Sequence, residues 1–251
     1  MDGRSSGDLI EDPAFIIESI LRNELSFTDI DTDSFDDAAD AGVTARLNLH
    51  SDNLMQSDDV IKQLAEQSTF AFTFTADGKA RLIPLDSTSW SSMTADRTIH
   101  AEHIVDKDVT VSYSAAVAND IDVDSRWQQE YGIYRDSDNF ADSTSKGYGH
   151  GTLYDTYRWP NICGASVTTV AEHLVKTSTG ILSNRHLTIE LETVAFTNTD
   201  LELGDCIALD NSSLSPHVTP PGGGSWSGKK FVVVELRKGD TTRIKAMQLH
   251  E

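Results

Sequence analysis

The last hundred residues constrain the fold most. Leu201-Glu202-Leu203-Gly204-Asp205-Cys206-Ile207-Ala208-Leu209-Asp210 alternates apolar and polar side chains around a Gly-Asp pair, the period of a half-buried strand. A loop rich in Pro and Gly follows at Pro220-Pro221-Gly222-Gly223-Gly224. Then comes Lys229-Lys230-Phe231-Val232-Val233-Val234-Glu235-Leu236, where β-branched and aromatic residues concentrate. Strands are expected at about 185–196, 201–210, 229–238 and 242–249, the last two joined through Lys238-Gly239-Asp240. Kinked strands, a long polar loop and a closing hairpin describe the wall of a β-barrel.

Upstream of that wall the pattern changes from strand to helix. Asp12-Pro13 opens a helix, with Asp as the cap and Pro at the first helical position, where its missing N–H costs nothing. Phe15, Ile16, Ile17, Ile20, Leu21 and Leu25 fall at helical spacing. The stretch Asp29–Asp40 reads as an acidic linker. A second helix starts at Ser57 or Asp58, with Val60, Ile61, Leu64 and Ala65 on its buried stripe. It runs into a hairpin in which Phe70, Phe72 and Phe74 alternate with Ala71, Thr73 and Thr75. Asp77-Gly78 turns the chain, and Ala80, Leu82 and Leu85 return.

The middle is less regular. Asp108–Tyr113 reads as a strand and 118–150 as a region containing an extended loop, anchored by Tyr131, Tyr134, Tyr148, Tyr154, Tyr157 and Trp159. A third helix is expected at about 164–178, on Val167, Val170, Ala171, Leu174 and Val175, with Gly180 as its cap. The fold class is therefore α+β: a β-barrel domain with a helix-plus-hairpin α/β domain. The expected divisions are 1–50 (helix and acidic linker), 51–107 (helix-hairpin domain) and 108–251 (barrel-like domain with one helix).

Composition narrows the function. The net charge is −20, with 40 acidic and 20 basic side chains. Residues 1–150 hold 29 of the acids and 11 of the bases. Such a front half excludes a DNA-binding surface, because affinity for phosphate rests on Lys and Arg displacing counterions. It suits a surface past which DNA moves without sticking, and equally a saline habitat. No apolar run approaches the roughly 20 residues that span a bilayer, and the N-terminus has no signal-peptide pattern. The two cysteines, Cys163 and Cys206, sit in apolar contexts and read as buried thiols.

Chemistry-bearing motifs are weak. His100-Ala101-Glu102-His103, with Asp106 nearby, gathers metal-ligand types, but the histidines are three apart and the Glu is misplaced for a zinc-protease helix. Asp29-Ile30-Asp31-Thr32-Asp33-Ser34 resembles the start of a calcium loop, with Asp37 and Asp40 following. It has Ser where the turn needs Gly and Asp where the bidentate Glu belongs. Asp120, Asp122 and Asp124 form a second such run. Solvated charge is the simpler account of both. Cys163 with His173 forms no recognisable nucleophile pair, and no Gly-x-Ser-x-Gly, P-loop or dinucleotide motif occurs. No catalytic, cofactor-binding or metal-ligating residue is assigned, and no cofactor is expected.

Three stretches resemble the central hub proteins of phage tail tips and baseplates. One is Asp12-Pro13-Ala14-Phe15-Ile16-Ile17-Glu18-Ser19-Ile20-Leu21-Arg22-Asn23-Glu24-Leu25. The second is Ile61–Leu85, with Leu64-Ala65-Glu66-Gln67 and Asp77-Gly78-Lys79. The third joins Ala171-Glu172-His173-Leu174-Val175 to Asp200-Leu201-Glu202-Leu203-Gly204-Asp205. The resemblance implies a non-enzymatic virion component at the distal end of a tail, assembled in the host cytoplasm as a homotrimer around the tail axis. Tube and fibre proteins would be its neighbours. In larger hubs of the family a barrel-forming segment precedes the Asp-Pro helix. The expectation here is a split hub, with that part on a separate polypeptide. Two other functions remain open. One is a receptor- or carbohydrate-binding module presenting Trp127 or Trp159; the other is a tail-associated cell-wall hydrolase using scattered carboxylates.

Overall fold

The computed structural model describes residues 10, 12–40, 56–85, 93–113, 118–146, 151–162, 166–175, 182, 186–194, 196–214, 218–220 and 224–248, with the side chains of Ser166 and His173 excepted. The chain divides into two compact units, each made of two separated stretches: 1–86 with 117–184, and 87–116 with 185–251. These boundaries do not coincide with the contiguous divisions at 50 and 107. The strand that opens the second unit belongs with partners a hundred residues away, and sequence periodicity carries no information about pairing at that distance.

The first unit begins as expected. Helix α1 spans Pro13–Ser19, and the Asp12 carboxylate accepts from the Ala14 N–H at 2.8 Å. It continues as one π-turn over Ile20–Glu24 and stops at Ser26, whose φ of 54° leaves the helical region. Helix α3 (Ser57–Gln67) buries Val60, Ile61, Leu64 and Ala65, and the hairpin β1 (Phe70–Phe74) and β2 (Ala80–Pro84) follows in the expected register.

Between them the acidic linker is instead a helix, α2, over Thr32–Asp40. Phe35 and Ala38 drive it: three apart, they land on one face and are buried against α1, α3 and β2. Fully burying a Phe is worth about 1.5–3 kcal/mol, enough to outweigh the mutual repulsion of solvated carboxylates.

Within 118–150 the described residues hold two strands that the sequence reading did not assign. They are β5 (Asp120–Gln128) and β6 (Ile133–Ala141), joined by β7 (Tyr154–Trp159) into a sheet of order β6-β5-β7. Strict alternation of Asp120, Asp122 and Asp124 with Ile121 and Val123 is a strand signal that the polar composition masked. Helix α4 (Ser166–Val175) packs Val167, Val170, Ala171 and Leu174 on the buried face of that sheet. Asn161 joins the two cores of this unit: its N–H donates to Gln67 Oε1 at 3.2 Å and its Nδ2 to Gln63 Oε1 at 3.3 Å.

The second unit is the barrel-like wall. Strands β3 (Arg97–Ile99), β4 (Ile104–Tyr113), β8 (Leu187–Thr193), β9 (Cys206–Leu209), β10 (Lys230–Lys238) and β11 (Thr242–Gln248) form one sheet in the order β3-β9-β10-β11-β8-β4. Its two edge strands are consecutive in sequence. Laid flat, six strands would hold their edges about 24 Å apart. The link from Ile99 to Ile104 reaches at most about 18 Å. The sheet must therefore curl, and it does so into a half-barrel. A bulge at Val234, which is left out of the β10–β11 register, adds local twist. Trp226, Phe231, Ile207 and Ile189 fill the inside, with Trp226 fully buried and its Nε1 donating to the Val218 carbonyl at 2.8 Å. Among the described residues no helix is long and apolar enough to cross a membrane.

Candidate functional site

The outer face of the curled sheet carries alternating charges because every second residue of β8 and β11 points away from the core. Arg243 pairs with Glu192 at 3.3 Å and Lys245 with Glu190 at 3.1 Å. With Asp106, Asp108, Glu235 and Arg237 they line a groove of about 480 Å³. Opposite charges on adjacent strands satisfy one another here. The groove is an open polar surface whose cross-strand ion pairs are made within the chain itself.

The corner where the sheet edges approach holds the His100 motif. Asp210 directly follows β9 and its N–H donates to the Ile99 carbonyl at 2.9 Å. Its Oδ2 lies 2.9 Å from His100 Nδ1, and its Oδ1 accepts from Ser212 Oγ at 2.8 Å and Ser212 N at 3.0 Å. These bonds, Ser212 foremost and His100 next, hold the Asp210 carboxyl far below the usual carboxylate range. Ser213 Oγ accepts from the Ala101 N–H at 3.0 Å.

The order of groups decides the chemistry. In a hydrolytic triad the imidazole stands between hydroxyl and carboxylate and takes the hydroxyl proton. Here the carboxylate stands between Ser212 and His100 and accepts from the hydroxyl, so no imidazole is placed to take the Ser212 proton and the order of a hydrolytic triad is absent from this cluster. His103 packs edge-on against His100 with ring centroids 5.4 Å apart. Glu102 and Asp106 are exposed, and among the described residues no group of three or more ligand types could hold a metal. Asp210 and Ser213 had no signal in the sequence, since they reach His100 and the Ala101 N–H only through the parallel pairing of β3 with β9.

Both calcium-like runs resolve into secondary structure. In the first, Ile30 bridges to Ala80 and the Asp31 carbonyl accepts from Ser34 and Phe35, so the would-be loop enters α2. In the second, the aspartates line one face of β5 and have partners. Asp120 takes Lys146 at 2.6 Å and Asn139 at 2.7 Å, Asp122 takes Asn139 at 2.9 Å and the Tyr154 hydroxyl, and Asp124 lies 3.7 Å from Arg158. Asn119, which the sequence did not single out, is fully buried. Its Nδ2 donates to the Gly151 carbonyl at 2.9 Å and its Oδ1 accepts from Leu153 N–H at 2.9 Å. It ties β7 to the start of β5.

The remaining candidates divide. Cys163 and the His173 side chain lie outside the described residues, while Cys206 is buried and its thiol is pushed up by desolvation. Trp159 is 3% exposed and belongs to the core, so it is not available to a sugar; Trp127 is 42% exposed.

No protein-family model matches the sequence, and no curated protein matches it. Solved structures do match. A chain of the native gene transfer agent virion is similar over 100% of this chain and 52% of its own length, with a TM-score of 0.56 at 10% identity. The 43 kDa tail protein of prophage MuSo2 from Shewanella oneidensis is similar over 98% of this chain and 68% of its own, with a TM-score of 0.53 at 8% identity. Prophage tail protein gp18 from Listeria monocytogenes matches 75% of this chain and 51% of its own, with a TM-score of 0.41 at 9% identity. The chain thus spans about half the length of the gene transfer agent and Listeria proteins. The α+β fold with its half-barrel is one found in phage tail and virion proteins.

Proposed function

We propose that this chain is a non-enzymatic structural component of a phage-type tail tip or baseplate, working as part of the central hub. The observation that carries the reading is the fold match across the whole chain to a virion protein and to a prophage tail protein. The described residues add support. The one Asp–His–Ser cluster is wired as a strand-corner clamp, and the clustered aspartates are occupied by cross-strand partners.

In this reading the protein resides in the virion and contacts tube and fibre proteins. The open edges of the half-barrel, β3 and β4, pair with neighbouring subunits, because an exposed edge is a template for another strand and closed rotational symmetry satisfies every edge. The homotrimer around the tail axis follows from that logic, and an acidic front half keeps a DNA channel non-adhesive.

The test is location and loss. Immunogold labelling of purified particles should decorate the distal end of the tail, and deletion should yield particles lacking a finished tip. Absence of the chain from purified particles, or peptidoglycan cleavage abolished by a single carboxylate substitution, would sink the reading.

A further inference from the structure

The first unit holds two separate hydrophobic cores, one in each of two lobes. Ala14, Ile17, Phe35, Leu64 and Leu82 belong to the core of the first lobe, made of α1, α2, α3 and the β1–β2 hairpin. Ile121, Val123, Val167, Val170 and Ala171 belong to the core of the second, made of β5, β6, β7 and α4. Each lobe buries its own apolar faces, so the hydrophobic term that stabilises the lobes contributes little to holding one against the other. No peptide link runs straight between them either, because the chain leaves this unit after residue 86 and re-enters it at 117.

The seam between the lobes is polar. The Asn161 N–H donates to Gln67 Oε1 at 3.2 Å and its Nδ2 to Gln63 Oε1 at 3.3 Å. Gln67, Ser68 and Thr69, at the C-terminal end of α3, are buried, as is Asn161. Among the described residues Gln67 Nε2 and Ser68 Oγ find no hydrogen-bond partner. A buried polar group so placed costs desolvation energy that is recovered once water reaches it. Opening the seam relieves these two groups and replaces two neutral hydrogen bonds by bonds to water, a nearly even exchange. A cavity of about 420 Å³ runs between the lobes, with Phe70, Phe72 and Leu85 on one side and Tyr157, Trp159 and Leu174 on the other. Facing apolar side chains do not interdigitate there, and the contact forgoes the dispersion energy of a packed interior.

We propose that this seam is a reversible dock, at which the first lobe separates from the second while both cores stay folded. Small, polar contacts between the parts of one chain permit relative motion by default. Here the hydrogen bonds of Asn161 latch the closed position, and the unpartnered groups of Gln67 and Ser68 keep it only a little more stable than the open one. The unit thereby gains two positions without unfolding. The dock goes beyond the assembly reading and does not depend on it.

The experiment uses the full chain and two probes. The first needs no substitution: native-state hydrogen exchange at the Asn161 N–H, followed over a series of low denaturant concentrations. Its protection should fall about tenfold or more below that of amides in the β5–β6 and β1–β2 ladders. It should also be insensitive to denaturant, since opening exposes little new surface. The second probe is Ser68→Cys, a nearly isosteric change at a buried position, compared with Ala38→Cys in the core of the same lobe. By peptide mapping of thiol alkylation, Ser68→Cys should react about tenfold or more faster than Ala38→Cys. Thermal melts establish that each variant folds; if either fails, the wild-type exchange decides the question alone. Equal protection at Asn161 and in the ladders would overturn the dock, and so would equal alkylation of the two thiols. Fast exchange at Asn161 beside a slow Ser68→Cys thiol would overturn it too, since that assigns the exchange to motion of the Gln67 side chain alone. A dock found in a chain absent from tail particles removes the assembly reading only. A rigid seam in a chain present there removes the dock only.

Discussion

His100 Nδ1 and Asp210 Oδ2 meet at 2.9 Å although 110 residues separate them in sequence. The pair clamps the end of edge strand β3 to the end of β9, at the corner from which the chain turns into the opposite edge strand β4. His100→Ala should speed amide hydrogen exchange at Asp210 and Ala101, whose N–H groups bond to Ile99 and Ser213, and leave the β10–β11 ladder unchanged. Because the Asp210 carboxyl is held low, its folded pKa lies below the unfolded value. Its contribution is therefore present above the ordinary carboxylate pKa of about 4 and is lost only as pH falls through the depressed value. Protection of these two amides should persist at pH 4; unchanged exchange in His100→Ala would refute the clamp.

Trp226 is the keystone of the half-barrel core. Trp226→Ala should cost about 3–5 kcal/mol by denaturant unfolding. Trp226→Phe keeps most of the ring but leaves the Val218 carbonyl without its indole donor, for a loss of about 1–3 kcal/mol. Equal stability of the two variants would show that the cavity, and not the hydrogen bond, accounts for nothing.

Asn119 should be as costly as a core residue despite its polarity. Asn119→Ala removes the partner of both the Leu153 N–H and the Gly151 carbonyl. A loss of about 1–3 kcal/mol is expected from groups left unsatisfied, with exchange protection falling along β7. Asn119→Asp, which keeps the acceptor and loses the donor, should show the smaller change at Leu153.

Helix α2 carries a titration with the opposite sign to that of Asp210. The Asp37 carboxyl is pushed up, first by desolvation and then by Asp33, Asp40, Asp36 and Asp31. A carboxylate whose folded pKa exceeds its unfolded value favours the fold at low pH, and that benefit is lost as pH rises through the raised value. Asp37→Asn should therefore stabilise the protein at pH 7 by a few tenths of a kcal/mol, the scale of like-charge pairs on a helix. The gain should vanish below about pH 4 and shrink with added salt. A gain that is independent of pH would assign the effect to packing.

Gly204, at φ 88°, tests the turn before β9. Its N–H donates to the Val233 carbonyl at 2.9 Å, so the turn is held in the ladder and cannot relax. Gly204→Ala should cost about 1–2 kcal/mol in unfolding free energy, the penalty of placing a Cβ in left-handed backbone.

The local patterns were legible in the sequence. The Asp12-Pro13 cap, the 3.6-residue stripe of α3, the Asp77-Gly78 hairpin and the strands β8, β10 and β11 each follow from short-range rules of capping, periodicity and turn chemistry. So does the α+β class. What only the tertiary structure decided is where a local signal was ambiguous or a partner distant. Helix α2 is made by the burial of Phe35 and Ala38 within an acidic stretch, and β5 by the burial of Ile121 and Val123 between aspartates. The histidine motif became a clamp because strand pairing delivered Asp210 to it. Side chains near in sequence share a period that can be read; side chains near in space share free energy that exists only after the chain has folded.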